Sequence, residues 1–462
     1  MSHVAVIDIG KTNAKLALVD TATLTEVAVV TRPNRVLAGP PWPHFDVDGH
    51  WSFLLDALAG FQASHGIDAI SVTTHGACVA LLDADGDLAA PVLDYEHDGP
   101  QGVAADYDAL RPPFSETGSP RLANGLNVGA QLHWQFAQDS GLRDRTHAIV
   151  TYPQFWGARL TGQLATDVTS LGCHTDLWNP GQGALSALVD TLGIRDKIAA
   201  PRPPAAVLGP ILPQIAARTG LAPDTPVHCG IHDSNASLLP HLLRHDPPFS
   251  VVSTGTWVIV LGVGGADVAL DPADDTLINV DAFGAPVRSA RFMGGREHDV
   301  ATGGPYPIPT EAELADVLDR QVMLTPAVMP ETGPFQGQTA GWIGAEPAVG
   351  SGQRGAAVAF YLALVTARCL TLIGHRGSIV VEGPFSQNAA YRRMLSHVTG
   401  CPTIATGGAT GTSQGAALLA AGLKRQAQSG VVADHLPPLP DGADAYIQRW
   451  RNAAGLQSET GA

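Results

Sequence analysis

The sequence predicts two related α/β domains, and three observations carry that prediction. The chain opens as strand–turn–strand: residues 4–9 are apolar, Gly10 to Asn13 are turn-like, and residues 14–19 are apolar again. The pattern restarts halfway along, where the apolar runs 249–253 and 257–262 flank Thr254-Gly255-Thr256. Strand, Gly-rich turn and helix then follow twice: the strand 379–382 leads to a helix over 389–399, and the strand 402–406 to a helix over 413–421. A duplicated fold with a cleft between its halves is a natural seat for a ligand.

The remaining elements fill in between. A third strand is expected over 25–31, a helix over 51–65 and a strand over 69–73. A second strand–turn–strand, 77–82 and 88–93, surrounds the turn signal Asp83-Ala84-Asp85-Gly86-Asp87. Residues 100–225 are richer in loops. A strand at 227–230 opens into a helix at 234–243, and a long helix spans 354–374. The expected domains are 1–236 and 237–425, with a polar, peripheral tail over 426–462.

Length and composition agree with two units: 462 residues, 45% hydrophobic and 15% charged, are globular rather than disordered. The formal charge is −16 and no run of Lys or Arg occurs, which argues against nucleic acid and for small-molecule partners. Five scattered cysteines without CxxC spacing read as reduced thiols of a cytoplasmic protein. The sequence begins directly with a strand, leaving no room for a signal peptide. No uninterrupted apolar stretch reaches about 18 residues, so no membrane span is expected.

Several segments carry candidate chemistry. In Asp8-Ile9-Gly10-Lys11-Thr12-Asn13-Ala14-Lys15, Gly10 lets backbone N–H groups approach an anion. Thr12 and Asn13 offer donors, Lys15 offers charge, and Asp8 can hold Mg²⁺ through water. The Gly-Lys-Thr triplet is not a P-loop, because Ala5 stands at its first glycine and a strand follows. An ordinary hairpin turn is the alternative. Asp233, in Gly230-Ile231-His232-Asp233, sits where a strand opens into a helix; it can accept a proton from a hydroxyl or simply cap the helix. His228 and His232 have metal-ligand spacing, but Cys229 replaces the Glu that a zincin requires. Gly255 and Thr256 can offer donors to a phosphate. The turns Glu382-Gly383-Pro384-Phe385-Ser386-Gln387-Asn388 and Gly407-Gly408-Ala409-Thr410-Gly411-Thr412 suit a nucleotide, and neither carries the dinucleotide pattern Gly-x-Gly-x-x-Gly.

Taken together and in this order, these segments resemble the FGGY family of carbohydrate kinases over nearly the whole chain, from Val4 to about Leu423. The resemblance implies the two-domain actin-like or hexokinase-like (ribonuclease H-like) fold with an interdomain cleft. The N-terminal domain would bind sugar and the C-terminal domain nucleotide. It implies ATP, with Mg²⁺ at Asp8 and Asp233, and Asp233 as catalytic base. Gly10, Lys11, Thr12, Asn13, Lys15, Gly255, Thr256, Gly383, Ser386, Asn388, Gly407 and Gly408 would serve the nucleotide, with Lys11, Asn13 and Glu382 departing from the usual residues. His75 and Gly76, in Thr74-His75-Gly76, resemble the family's sugar-contacting segment, and His232 and Asp233 would complete the pocket. Tyr95, His97 and Asp98 occupy the place of a Trp/Tyr-x-Asp-x-Arg substrate motif, with His97 where Asp is usual and the Arg missing. Gln154 likewise stands where relatives often have Asp. A ketopentose or 6-deoxyketohexose is the expected acceptor, and a polyol, or a non-catalytic sensor on the same fold, is the alternative. A homodimer is the assembly common among such proteins.

Overall fold

The computed structural model describes residues 2–406, 411–423 and 436–456. The chain divides into two compact units. The first is built on a sheet whose strands run in the order Val207–Pro210, Pro226–His228, Ala69–Thr74, His3–Ile9, Asn13–Asp20 and Thr25–Pro33, with Ile231–His232 also paired to Ala69–Thr74. His3–Ile9 pairs antiparallel with Asn13–Asp20 and parallel with Ala69–Thr74. Alternation sorts the first strand between two cores. Ala5, Ile7 and Ile9 face one cluster with Leu54, Leu58 and Phe61 of the helix Val47–Ser64, whose buried positions recur every three or four residues. Val4 and Val6 face another with Ala236 and Leu239 of the helix Asp233–Arg244 and Ala416 to Leu419 of the helix Thr412–Ala420.

The units therefore do not follow chain order. The expected boundary at 236/237 falls inside Asp233–Arg244, which stays whole in the first unit. The helix Thr412–Ala420, read as part of the second domain, packs in the first, where its alanines allow close approach and the Ala416 carbonyl accepts the Ser71 hydroxyl at 2.8 Å.

In the second unit the strands Pro286–Phe292, Val258–Val263, Phe249–Thr254, Ser378–Glu382 and Thr403–Ala405 lie side by side in that order. Phe249–Thr254 pairs antiparallel with Val258–Val263 and parallel with Ser378–Glu382, as His3–Ile9 does with its own two neighbours. The core of this unit gathers around the helix Gly352–Leu372, which is apolar around most of its surface because the protein covers most of it. That helix is long and apolar enough to cross a membrane, yet 83% of its most apolar stretch is buried inside the protein.

Two expectations are corrected. Residues 88–93 form no strand: Val79–Leu82 pairs instead with Ala148–Thr151, and Leu88 and Leu93 make single bridges. Pro91, which has no N–H to give a ladder, explains the failure. The tail is not all peripheral. Within it the helix Ala443–Ala453 buries Tyr446, Ile447 and Trp450 in the second core. The Trp450 indole donates to the Leu324 carbonyl at 2.8 Å and the Tyr446 hydroxyl to that of Val322 at 3.1 Å.

Candidate active site

Asp233 begins its helix without capping it. Its carboxylate accepts the Ser234 N–H at 2.6 Å and the Ser234 hydroxyl at 3.3 Å, rather than an N–H one turn further on. His232 Nε2 lies 3.3 Å from the same oxygen, Oδ1. Oδ2 has no partner among the described residues. The side chain is 29% exposed, so one edge is open while protein encloses the rest. Burial pushes the pKa up to about 6; His75 pulls it down, Asp8 raises it further, and the Ser234 hydrogen bonds lower it.

Two neutral histidines flank this acid, each pushed down to about 4, foremost by burial. Asn235 Nδ2 lies 3.5 Å from His232 Nδ1, which leaves Nε2 as the N–H facing Asp233. His75 Nδ1 donates to the Gly76 carbonyl at 2.9 Å, so its Nε2 carries the lone pair; that nitrogen is buried without a partner among the described residues. Gly76 is required by close approach, since a Cβ there would lie 2.6 Å from His232 Nε2. Gln154, fully buried, donates to the Cys229 carbonyl at 2.9 Å and braces the loop that delivers Asp233. Phe45, Tyr95 and Tyr152 surround the His75 ring at 5.0–5.2 Å.

The first turn is closed by the Gly10 N–H to the Asn13 carbonyl at 2.9 Å. Asn34 braces it from below, donating to the Gly10 carbonyl at 2.8 Å and accepting His50 Nε2 at 2.7 Å, while Arg32 fixes His50 Nδ1 at 2.8 Å. Sequence reasoning missed this support, which draws on three elements. Thr12 and Asn13 remain near the surface, 3.3 Å apart through Asn13 Nδ2 and Thr12 Oγ1. Lys15 pairs with Asp8 at 3.1 Å and Glu26 at 3.2 Å; burial works against its charge, but the two carboxylates hold its pKa above the ordinary value. Asp8 Oδ2 also accepts the hydroxyls of Thr412 at 2.5 Å and Ser413 at 3.1 Å. Lys11 points elsewhere: its ammonium pairs with Asp94 and, at 3.0 Å, with Glu96.

The segment after Leu93 thus brings Asp94, Tyr95 and Glu96 to Lys11, and two of those three were not singled out from sequence. His97 packs instead on Trp134, with ring centres 5.1 Å apart, and Asp98 lies 87% exposed.

In the second unit Gly255 and Thr256 form the exposed tip of the hairpin, closed by the Gly255 N–H to the Trp257 carbonyl at 2.9 Å. The Thr256 carbonyl accepts the Gly295 N–H at 3.2 Å, which fixes the tip to the start of the helix Gly294–Thr302. Gly383 has φ 78°, and a Cβ there would lie 1.9 Å from the Thr254 carbonyl. Ser386 donates to the Gly383 carbonyl at 2.7 Å, and Asn388 caps the helix Ala389–Thr399 by accepting the Tyr391 N–H at 3.1 Å. Gly407 and Gly408 lie outside the described residues.

Among the described residues no group of three or more His, Cys, Asp or Glu forms a metal-ligand set. Asp8 and Asp233 are close enough for one to raise the pKa of the other, and each keeps one oxygen without a partner among the described residues. Two carboxylates with open oxygens fit a hydrated divalent cation such as Mg²⁺, which usually keeps several waters.

Residues 3–240 match the FGGY family of carbohydrate kinases, N-terminal domain, and residues 246–429 match carbohydrate kinase FGGY, C-terminal domain. L-fuculokinase of Salmonella typhi is 23% identical over 276 residues, 58% of this chain and 58% of that protein. The matched part thus spans little more than half the length of this curated relative. Among solved structures, a carbohydrate kinase from Novosphingobium aromaticivorans is 35% identical, with a TM-score of 0.91 over 98% of this chain and 99% of that one. A xylulose kinase from Lactobacillus acidophilus, 18% identical with a TM-score of 0.76 over 98% and 99%, shares the fold. With both halves matched in order on the two-domain actin-like, hexokinase-like fold, the chain belongs to the FGGY family of carbohydrate kinases.

Proposed function

We propose that this protein transfers the terminal phosphate of ATP to a hydroxyl of a small sugar, a ketopentose or 6-deoxyketohexose. The observation that carries the reading is Asp233: its Oδ1 is held by Ser234 and His232, its Oδ2 is without a partner among the described residues, and its pKa is raised to about 6. A carboxylate so tuned is ionised at neutral pH yet more basic than an ordinary Asp, which suits a general base. The names of the relatives, L-fuculokinase and xylulose kinase, support the sugar class.

In this mechanism the acceptor hydroxyl gives its proton to Asp233 as its oxygen attacks the terminal phosphorus, and ADP leaves. Such transfer depends on positioning and electrostatics more than on covalent catalysis. His75 Nε2 accepts a second hydroxyl and orients the sugar. Thr12, Asn13 and Lys15 offer donors and charge to phosphate, as do the backbone and hydroxyl of Gly255 and Thr256. Gly383, Ser386 and Asn388 shape the nucleoside seat. Mg²⁺, held by Asp8 and Asp233, would supply charge neutralisation of the phosphates. Five cysteines, none of them in a disulfide, accord with a reducing, cytoplasmic location.

The test is ADP release by the purified protein with ketoses, aldoses and polyols of both hands. Turnover with a ketose supports the reading. Hydrolysis of ATP that no acceptor accelerates would count against it.

A further inference from the structure

Lys11 sits in the turn between the first two strands, beside the residues assigned to phosphate, yet its ammonium is fully engaged elsewhere. It pairs with Asp94, whose side chain is 10% exposed, and with Glu96, 62% exposed, at 3.0 Å. It also lies 4.7 Å from the centre of the Tyr95 ring and 5.3 Å from that of Phe45. Both rings pack on His75, whose buried Nε2 lone pair has no partner among the described residues. The contacts therefore run without a gap from Lys11 through Tyr95 and Phe45 to His75.

We propose that Lys11 is a positioning residue for the acceptor sugar rather than a ligand of the phosphates. It holds the Asp94 and Glu96 carboxylates over an aromatic floor, where they accept sugar hydroxyls, and their surplus negative charge restricts the acceptor to uncharged polyhydroxy compounds. This rests on the kinase reading above.

The electrostatics follow from the groups that face one another. Lys11 contributes one positive charge, against negative charges on Asp94 and Glu96. A sugar acid entering here meets a net negative surrounding, whereas a neutral polyol meets acceptors for its hydroxyls. Freeing Lys11 for a phosphate would leave the buried Asp94 unpaired, which is costly.

The experiment compares wild type with Lys11→Met and Lys11→Arg. Steady-state kinetics use the best neutral acceptor from the screen, and calorimetry measures ATP affinity directly. The expected result for Lys11→Met is a rise in acceptor KM of about tenfold or more, an unchanged KM and affinity for ATP, and substantial rescue by Lys11→Arg. Wild type should discriminate against the aldonic acid of the same carbon skeleton. If Lys11→Met folds poorly, Lys11→Met with Asp94→Asn removes the unpaired charge and should show the same acceptor defect. Loss of ATP affinity with an unchanged acceptor KM, or efficient phosphorylation of the sugar acid, overturns the proposal. Failure of the kinase reading is distinct: wild type itself then releases no ADP with any acceptor.

Discussion

Asp233 Oδ1 collects three contacts and Oδ2 none among the described residues, so the carboxylate is oriented before any substrate arrives. Asp233→Asn keeps that shape and removes the basicity. Its kcat should fall by about 10³-fold, within the range expected of a general base, while ATP affinity by calorimetry stays as in wild type. Because the base must be unprotonated, kcat/KM should climb with pH and level off above about 6, following the raised pKa. A profile flat from pH 5 to 7 would remove Asp233 from that role. Taken alone in the sequence this residue reads more readily as a helix cap than as a base; its hydrogen bonds to Ser234 are not those of a cap.

At the scale of elements, the turn after Ser378–Glu382 depends on one backbone conformation. Gly383→Ala would place a Cβ 1.9 Å from the Thr254 carbonyl at a φ of 78°, so the strand-to-helix turn must shift. The expected outcome is an ATP affinity lowered about tenfold or more, measured by calorimetry, with little change in acceptor KM. The helix Gly294–Thr302 carries a second device. Glu297 is buried, accepts the Tyr361 hydroxyl at 2.7 Å, and has its pKa pushed up by burial to about 7. A carboxyl whose folded pKa lies above its unfolded value binds more protons when folded. Its contribution is therefore fully present below about pH 4.5 and is lost as pH rises through 7. Glu297→Gln should flatten the fall of Tm between pH 5 and 8 relative to wild type; parallel curves would argue against this account. The Gly383 turn is legible from its sequence pattern. The Glu297 site is not, because its partner lies 64 residues away on another helix.

Across the whole molecule, the second unit is completed by the end of the chain. Trp450 lies buried against Phe335 and Tyr361, with its indole bonded to the Leu324 carbonyl. Trp450→Ala should cost about 3–5 kcal/mol, the range for deleting a large buried aromatic, read from denaturant unfolding. A loss below about 1 kcal/mol would return this helix to the periphery where its polar composition seemed to place it. Composition misled there because a helix needs only one apolar stripe to dock, and four buried residues in this one, Ala443, Tyr446, Ile447 and Trp450, supply it.

The sequence by itself determined the repeated strand–turn–strand openings, the positions of most long helices, and Asp233 at a strand-to-helix junction. These are local properties, set by periodicity and turn chemistry within a few residues. Tertiary structure alone decided that Lys11 joins Asp94 and Glu96, that Thr412 and Ser413 bond Asp8 from some 400 residues away, and that Asp233 accepts from Ser234 rather than from an N–H one turn further on. The physical reason is the same in each case. Direction of a side chain, burial and the charge of its neighbours arise when distant segments pack, and they have no counterpart in the order of residues along the chain.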